Sequence, residues 1–356
     1  FGIHIEEKFH RLNGLYWLNY LSEIFGFSDF QDVTQKKIND IYDYTLNRPS
    51  YFNRYGIVLD LPAAYLEIIF QIDEINKIYY LKHFMGYSIF LLSSLFFYKI
   101  LFKRFNNYFL SFVGLIIYIT TPRIFGDSFL YKDVLYLSFF TMTLYFFLES
   151  VGRFNVKNLI LLAFFTALSV NLRIFSIILP LLFIFILIIK NFYNKNLNDI
   201  LKKILIYFFF FLIFLYMFWP YLWSNPLNNF YDIFKFLTRD LIDVKILYDN
   251  NYISNRIVPD SYILNWIMIT SPVLQFLIFI FGLSTYLLRL GNRFLKVTKN
   301  STHNDLWRSK KEEIDFVFFL FFITFYLLFL ISKAPMYNGW RLVYFFNIFI
   351  VYFAVF

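Results

Sequence analysis

The sequence predicts an all-α, polytopic transmembrane protein: about nine spans, with a large first extracytoplasmic loop bearing amphipathic interfacial helices. Three observations predict it. Apolar runs near ~20 residues, the length that crosses ~30 Å of hydrocarbon, recur from residue 83 onward. Hydrophobic residues make up 59% of the 356 and charged residues 16%, against about 25% charged in soluble domains. The Lys and Arg behind the net charge of +9 gather in alternate loops between the apolar runs. The basicity therefore reads as membrane topology and not as nucleic-acid binding.

The elements follow in order. Residues 1–82 form the first outer unit and are too polar to span. Phe9, Leu12, Tyr16 and Tyr20 recur on one helical face, which predicts an amphipathic helix lying against the bilayer. A polar stretch from Ser28 to Arg54 comes next, carrying Asp29, Asp32, Asp40, Asp43, Lys36 and Lys37. Asp60 as cap and Pro62 in the first turn then predict a second interfacial helix over 61–72, with Leu66, Ile69 and Phe70 facing inward. The core, 83–356, is expected to span at about 83–102, 107–121, 133–149, 158–172, 174–190, 204–222, 263–289, 314–332 and 342–356. The chain begins at Phe1 and runs out inside the apolar stretch Leu342 to Phe356, so it reads as a fragment with a further membrane helix expected upstream.

Orientation follows from the short basic loops. Lys103 and Arg104, Arg153 and Lys157, Lys190 to Lys203, and the loop 290–313 all fall on one side by parity, which predicts that side to be cytoplasmic. The unit 1–82, the turn at Arg173 and the loops 122–132, 223–262 and 333–341 then face outward, so a site built from long loops is extracytoplasmic or lumenal. The expected location is a multi-pass position in a bacterial inner membrane, or in the ER membrane of a eukaryote.

Several chemistries are closed to this chain. With no cysteine there is no disulfide, no Cys-ligated zinc and no Cys nucleophile. His4, His10, His83 and His303 lack metal-ligand spacing. The polar residues that remain suggestive lie on the outer face. Glu6 and Glu7 put two adjacent carboxylates in the first loop, where one can serve as a catalytic base. Arg123 and Lys132 are phosphate-binding candidates, with Asp133 beside them. Arg173 sits between two apolar runs, and a near-membrane Arg is a functional candidate by default. Arg341 opens a helix against the preference of the macrodipole, which points to an anionic partner. Asp127 or Asp133 is the candidate oxygen ligand for a divalent cation, Mg or Mn.

In its acidic pair and outer loops the chain resembles the C-type glycosyltransferase superfamily, in particular its dolichyl-phosphate-mannose-dependent and other lipid-carrier-dependent members. Ile5-Glu6-Glu7-Lys8-Phe9-His10 stands where those proteins carry an acidic pair, usually Asp-Glu, in the first outer loop. Glu6 replaces the usual Asp and adds a methylene. Arg54-Tyr55-Gly56, Pro122-Arg123-Ile124-Phe125 through Lys132-Asp133, and Tyr262 to Trp266 with Thr270-Ser271-Pro272 continue the likeness. Met336-Tyr337-Asn338-Gly339-Trp340-Arg341 is similar to the family's Tyr-x-Gly-x-Arg turn. The resemblance implies transfer of a sugar, with inversion, from a polyprenyl-phosphate donor to a lipid, glycan or protein acceptor. It implies Glu6 as the base, Glu7 as its support, and Arg123, Lys132, Arg173, Tyr337 and Arg341 as substrate contacts.

Two other classes compete. A transporter or flippase for lipid-linked saccharides predicts ionisable residues near the bilayer midplane and a two-half repeat; the spans show few of the former and no evident repeat. An O-antigen polymerase or ligase has its large outer loop late in the chain, whereas here the large loop comes first.

Overall fold

The computed structural model describes residues 5–41, 54–129, 132–191, 197–238, 243–295, 306–336 and 339–356, and they are mostly helical. Five helices are long and apolar enough to cross a membrane. They are α4 (Ile75–Phe105), α7 (Asp133–Val151), α10 (Leu197–Met217), α13 (Val273–Leu295) and α14 (Lys310–Ser332). Shorter apolar helices stand between them: α5 (Tyr108–Thr120), α8 (Val156–Leu172), α9 (Ile178–Asn191) and α15 (Asn347–Val355). Each expected apolar run therefore carries helix, and among the described residues five helices reach spanning length by themselves.

Two expected single spans are broken. The run 263–289 divides into α12 (Tyr262–Thr270) and α13. Pro272 cannot donate to the helical ladder and pushes Ser271 into extended backbone, φ −83° and ψ 141°. The run 342–356 opens as a 3₁₀ turn, Arg341–Phe346, kinked at Val343, before α15. In the other direction, α4 starts at Ile75, well ahead of the expected 83.

The outer unit is more regular than its composition suggests. α1 covers Ile5–Phe25, and the polar stretch after it forms α2 (Ser28–Ile41), whose Ile38 packs with Leu15 and Leu18 of α1. The second interfacial helix, α3 (Asp60–Ile69), is rotated from expectation. Ala63, Ala64, Glu67 and Ile68 face inward, while Ile69 and Phe70 are exposed. The reason is close approach: a Cβ on Gly14 would lie 2.1 Å from the carbonyl oxygen of Asp60 and 3.1 Å from the Ala64 methyl, so α1 and α3 touch at Gly14, Asp60 and Ala64. Arg11 then reaches Glu67 with two hydrogen bonds of 3.0 and 2.6 Å, which fixes the rotation.

The all-α expectation needs one amendment, in the loop 223–262. It carries α11 (Pro226–Thr238) and an antiparallel hairpin, β1 (Lys245–Tyr248) with β2 (Asn251–Ser254). Asp249 and Asn250 at its tip both have positive φ, 48° and 60°, the backbone a two-residue type I′ turn requires. Remaining pieces are α6 (Pro122–Asp127) and 3₁₀ turns at Ile174–Ile177 and Pro220–Trp223.

The core centres on α7, which is buried on nearly every face, and on the segment 341–355. Phenylalanine fills it. Phe140 of α7 has five ring partners within 6.3 Å: Tyr136 of its own helix, Phe321 and Phe325 of α14, Phe345, and Phe349 of α15. Offset and edge-on contacts of this kind add to the area buried.

Charges lie at two levels of the bundle. Along α4, His83 and Arg104 are 21 residues apart, about 32 Å at 1.5 Å per residue, which matches a hydrocarbon thickness of ~30 Å. At the level of Arg104, Asp315 accepts from Arg104 (2.5 Å), Arg289 (2.7 Å) and Tyr352 (2.6 Å). Lys103 pairs there with Glu149, Lys190 with Glu313 at 2.5 Å and Arg293 with Glu312 at 2.5 Å. These are the loops expected to be cytoplasmic. The opposite level holds Glu6, Glu7, Asp133, Arg173 and Arg341.

Candidate functional site

Arg341 is the hub of the opposite level. It opens the buried segment 341–355 and is itself 9% exposed. Its Nη1 and Nη2 donate to the two oxygens of Glu6 at 3.0 and 2.8 Å, while Nε donates to Asp133. The other oxygen of Asp133, at the first residue of α7, accepts from Arg173. Glu6, Arg341, Asp133 and Arg173 thus form one chain of ion pairs drawn from four distant parts of the sequence. Lys132, next to Asp133, rests its ammonium 4.6 Å from the ring centre of Tyr55.

Local sequence explains why these groups arrive together. Gly339 has φ +68°, a conformation that favours glycine, and the Trp266 ring stands 3.4 Å from where its Cβ would be. Tyr262 donates to the Gly339 carbonyl at 3.1 Å, and the Trp340 indole donates to Thr270 at 2.8 Å. The turn is thereby tied to α12 and points Arg341 at the site. Arg173 ends α8 in extended backbone, φ −142°, so its side chain leaves the helix axis and reaches α7.

A narrow cleft opens beside the cluster, lined by His10, Tyr55, Gly56, Asp60, Lys132 and Asn171, among others. His10 Nδ1 and Asn13 Nδ2 both meet Asp60 Oδ2, at 3.0 and 2.6 Å. Gly56 is pressed on Asn171: a Cβ there would lie 1.9 Å from the Asn171 amide oxygen. Arg54 clamps this loop to α11 through Asp232, with bonds of 2.6 and 3.2 Å.

Electrostatics differ sharply among the ionisable groups. Burial raises the Glu6 carboxyl, but Arg341, then Lys132, outweigh it and hold the pKa at about 2. Burial, joined by Arg173 and Arg341, brings Lys132 down to about 8 against the pull of Glu6 and Asp133. Burial also lowers His10 below its ordinary value, despite the Asp60 carboxylate. For Asp60 burial acts upward, yet His10 and Lys82 keep it below the usual carboxylate range.

Of the residues singled out in the sequence, Glu6, Asp133, Arg173 and Arg341 meet directly, and Lys132 borders them. Glu7 does not join. Neighbouring positions on a helix diverge by about 100°, so Glu7 points to α4, where His83 Nε2 lies 3.1 and 2.9 Å from its oxygens, and only 2% of it is exposed. Arg123 pairs with Asp127 one turn along α6, at 2.8 Å. Tyr337 lies outside the described residues. Neither metal candidate presents a ready donor set: both oxygens of Asp133 are engaged by arginines, and Asp127 faces Arg123. Among the described residues no three His, Asp or Glu side chains gather as ligands. Sequence reasoning missed His10, Asp60, Tyr55 and Asn171 as neighbours of the site. The one local signal was the four-residue spacing of Glu6 and His10, which puts them on the same helical face.

Compared with family models, curated proteins and solved structures, the chain matches none.

Proposed function

We propose that the protein is an integral-membrane glycosyltransferase. It would move a sugar from a polyprenyl-phosphate donor to a hydroxyl of a lipid, glycan or protein acceptor, with inversion, at the extracytoplasmic or lumenal face. The host membrane would be the bacterial inner membrane, or the ER membrane in a eukaryote. One observation carries the reading: cations and carboxylates from separated parts of the chain converge at one end of two deeply buried helical segments, next to a narrow cleft. Arg341, Arg173 and Lys132 gather there around Glu6 and Asp133. A phosphodiester brings one negative charge and oxygens suited to the fork of an arginine. Hydrogen-bond donors fixed in advance around a leaving phosphate are what such a transfer needs.

Glu6 is the carboxylate that the family resemblance makes the base. In the present arrangement its charge is committed to Arg341, so it gains basicity only when a phosphate takes over that guanidinium. A divalent cation, if one takes part, would bring its own charge to the phosphate, and no step here is routed through it. The competing transporter reading wants ionisable groups at mid-depth. The described spans carry theirs toward the ends, with hydroxyls such as Ser93, Thr141 and Thr166 between.

The test is transfer of label from a panel of radiolabelled polyprenyl-phosphate hexoses in membranes containing the protein. Incorporation above that of membranes lacking the protein, and lost in Arg341→Met, is the expected result. No incorporation from any donor would overturn the enzyme reading and favour transport.

A further inference from the structure

The helix α11 presents three faces. On one, Ile233 and Phe236 are buried and Asp232 pairs with Arg54. On the second, Leu227, Tyr231 and Phe234 gather within an arc of about 60° at 100° per residue, and they are 84%, 68% and 41% exposed. Asn228 and Lys235 are exposed as well, but they stand together on a third arc beyond Tyr231. Contact with water alone does not sort exposed residues in this way, whereas a boundary between lipid and water does. Both ends of the helix are held at the level of Lys132 and Arg341. Its first turn is tied to the exit of α10: Asn229 donates to the Tyr221 carbonyl at 2.5 Å, and the Trp223 indole donates back to the Tyr216 carbonyl at 2.7 Å. Just past α10, the Phe218 carbonyl accepts at 2.8 Å from Asn171, which lines the cleft. At the other end, Phe236 meets Tyr55 edge-on with ring centres 6.1 Å apart, and the Lys132 ammonium lies over Tyr55. The 13 residues of α11 extend about 20 Å, so a helix held at one level at both ends runs along a membrane surface and not through it.

We propose that α11 docks in the outer-face leaflet of the bilayer, with Leu227, Tyr231 and Phe234 against the acyl chains and Asn228 and Lys235 among the headgroups. Lipid is the occupant because of where the arc stands. α10, which is of spanning length, leads into α11 through a short turn, and it exposes Leu212, Ile213, Tyr216 and Met217 in its last turns. Apolar exposure thus persists along the chain from a span into α11. A tyrosine within the arc suits the interface, and the stem of Lys235 is long enough to leave its ammonium in water. The packed face of α11 carries this position inward. Asp232 accepts from Arg54 at 2.6 and 3.2 Å and from Tyr221 at 3.2 Å, and the Arg54 guanidinium stands 4.8 Å from the Phe236 ring centre. Arg54 directly precedes Tyr55 and Gly56, which line the cleft. One wall of the cleft is therefore fastened to a helix that lipid holds, at the depth of the headgroups. This docking does not depend on the reaction assigned to the site.

The chain has no cysteine, so one introduced cysteine carries a spin label at one known position. Leu227→Cys, Tyr231→Cys, Phe234→Cys, Asn228→Cys and Lys235→Cys each alter an exposed residue and leave the packed face of α11 intact. The full chain is placed in nanodiscs of phosphatidylcholine and phosphatidylglycerol. Each label is then measured by power saturation against oxygen, which concentrates in hydrocarbon, and against a water-soluble nickel chelate. Labels at 227, 231 and 234 are expected about 5–10 Å inside the lipid surface, with oxygen relaxing them more than nickel. Labels at 228 and 235 are expected to show the reverse order. Equal nickel access at all five positions puts the apolar arc in water and overturns the docking. Shielding of 227, 231 and 234 from both reagents puts protein over the arc, a second copy or another chain, and overturns lipid as its occupant. The labels read depth with no sugar donor present, so this result is separate from the outcome of the transfer assay.

Discussion

Replacing Arg341 tests whether the outer charges act as one unit. Its guanidinium bridges Glu6, at 2.8 and 3.0 Å, and Asp133, which is 5% exposed. Two unit charges about 4 Å apart are worth about 4 kcal/mol at an effective dielectric near 20 and about 1 kcal/mol in water. The Glu6 side chain is 36% exposed, so solvent screening puts its share at roughly 1–2 kcal/mol. Asp133 is buried but keeps Arg173 as a partner, which limits the loss there. Arg341→Met should therefore destabilise by about 3 kcal/mol, at the lower end of the range for breaking a buried pair. Glu6→Gln in the same background should recover part of that, with a coupling of about 1–2 kcal/mol in the double-mutant cycle. The assay is thermal and chemical unfolding in detergent for wild type, both single variants and the double. The pH dependence has a definite sign. Glu6 is lowered from 4.5 to about 2, so the unfolded chain binds the extra proton. The pair's contribution is complete above about pH 4.5 and fades as pH falls toward 2, and Arg341→Met should lack that slope. Additive single effects, with a coupling below about 0.5 kcal/mol, would refute the idea of a shared cluster.

Three further outcomes follow from other contacts. Lys132 titrates at about 8, so the KM for a phosphate-bearing donor should rise as pH passes 8, and Lys132→Met should remove that limb while raising KM below it. Gly14→Ala sets a methyl 2.1 Å from the Asp60 carbonyl and should cost about 3 kcal/mol in unfolding experiments, since backbone must move; a neutral effect would contradict the close α1–α3 contact. Asp315→Leu removes an acceptor that is 0% exposed and shared by Arg104, Arg289 and Tyr352. It should lower stability by about 3–5 kcal/mol, read as a drop in folded yield and melting temperature.

Much of the fold was legible because bilayer length and apolarity act locally along the chain. Wherever an apolar run occurred a helix formed, and the parity of basic loops agrees with the ion pairs Arg104–Asp315 and Lys190–Glu313 at one level. The breaks were harder. Ser271-Pro272 lay in view as a helix breaker, yet the apolar run continued across it and outweighed the proline in the reading. The Glu6–Glu7 pair shows a different limit. Adjacency in sequence suggested one catalytic unit, but helical geometry sends one carboxylate to Arg341 and the other to His83. That divergence follows once α1 is extended back to Ile5. Arg54 with Asp232, 178 residues apart, and His10 with Asp60, 50 apart, could not be paired from local pattern, because their meeting depends on how α1, α3 and α11 pack.

The two ends of the bundle use similar residues to different effect, and the difference is what locates the candidate site. At the Arg104 level the carboxylate of Asp315 is sealed between two arginines and a tyrosine, with none of it exposed. Its partners close that carboxylate off, and the arrangement reads as a clamp joining α4, α13, α14 and α15. At the other level the same pairing is incomplete. Glu6 is partly exposed, Lys132 lies on an aromatic ring instead of a carboxylate, and a cleft is lined by Lys132 and His10. Charges held at the ends of buried helices cannot relax far when a ligand binds, so their field is set in advance. Rigid support from α7 and the 341–355 segment, a group of cations and an adjoining narrow cleft coincide at this level, which is the combination the proposed lipid-linked donor would need.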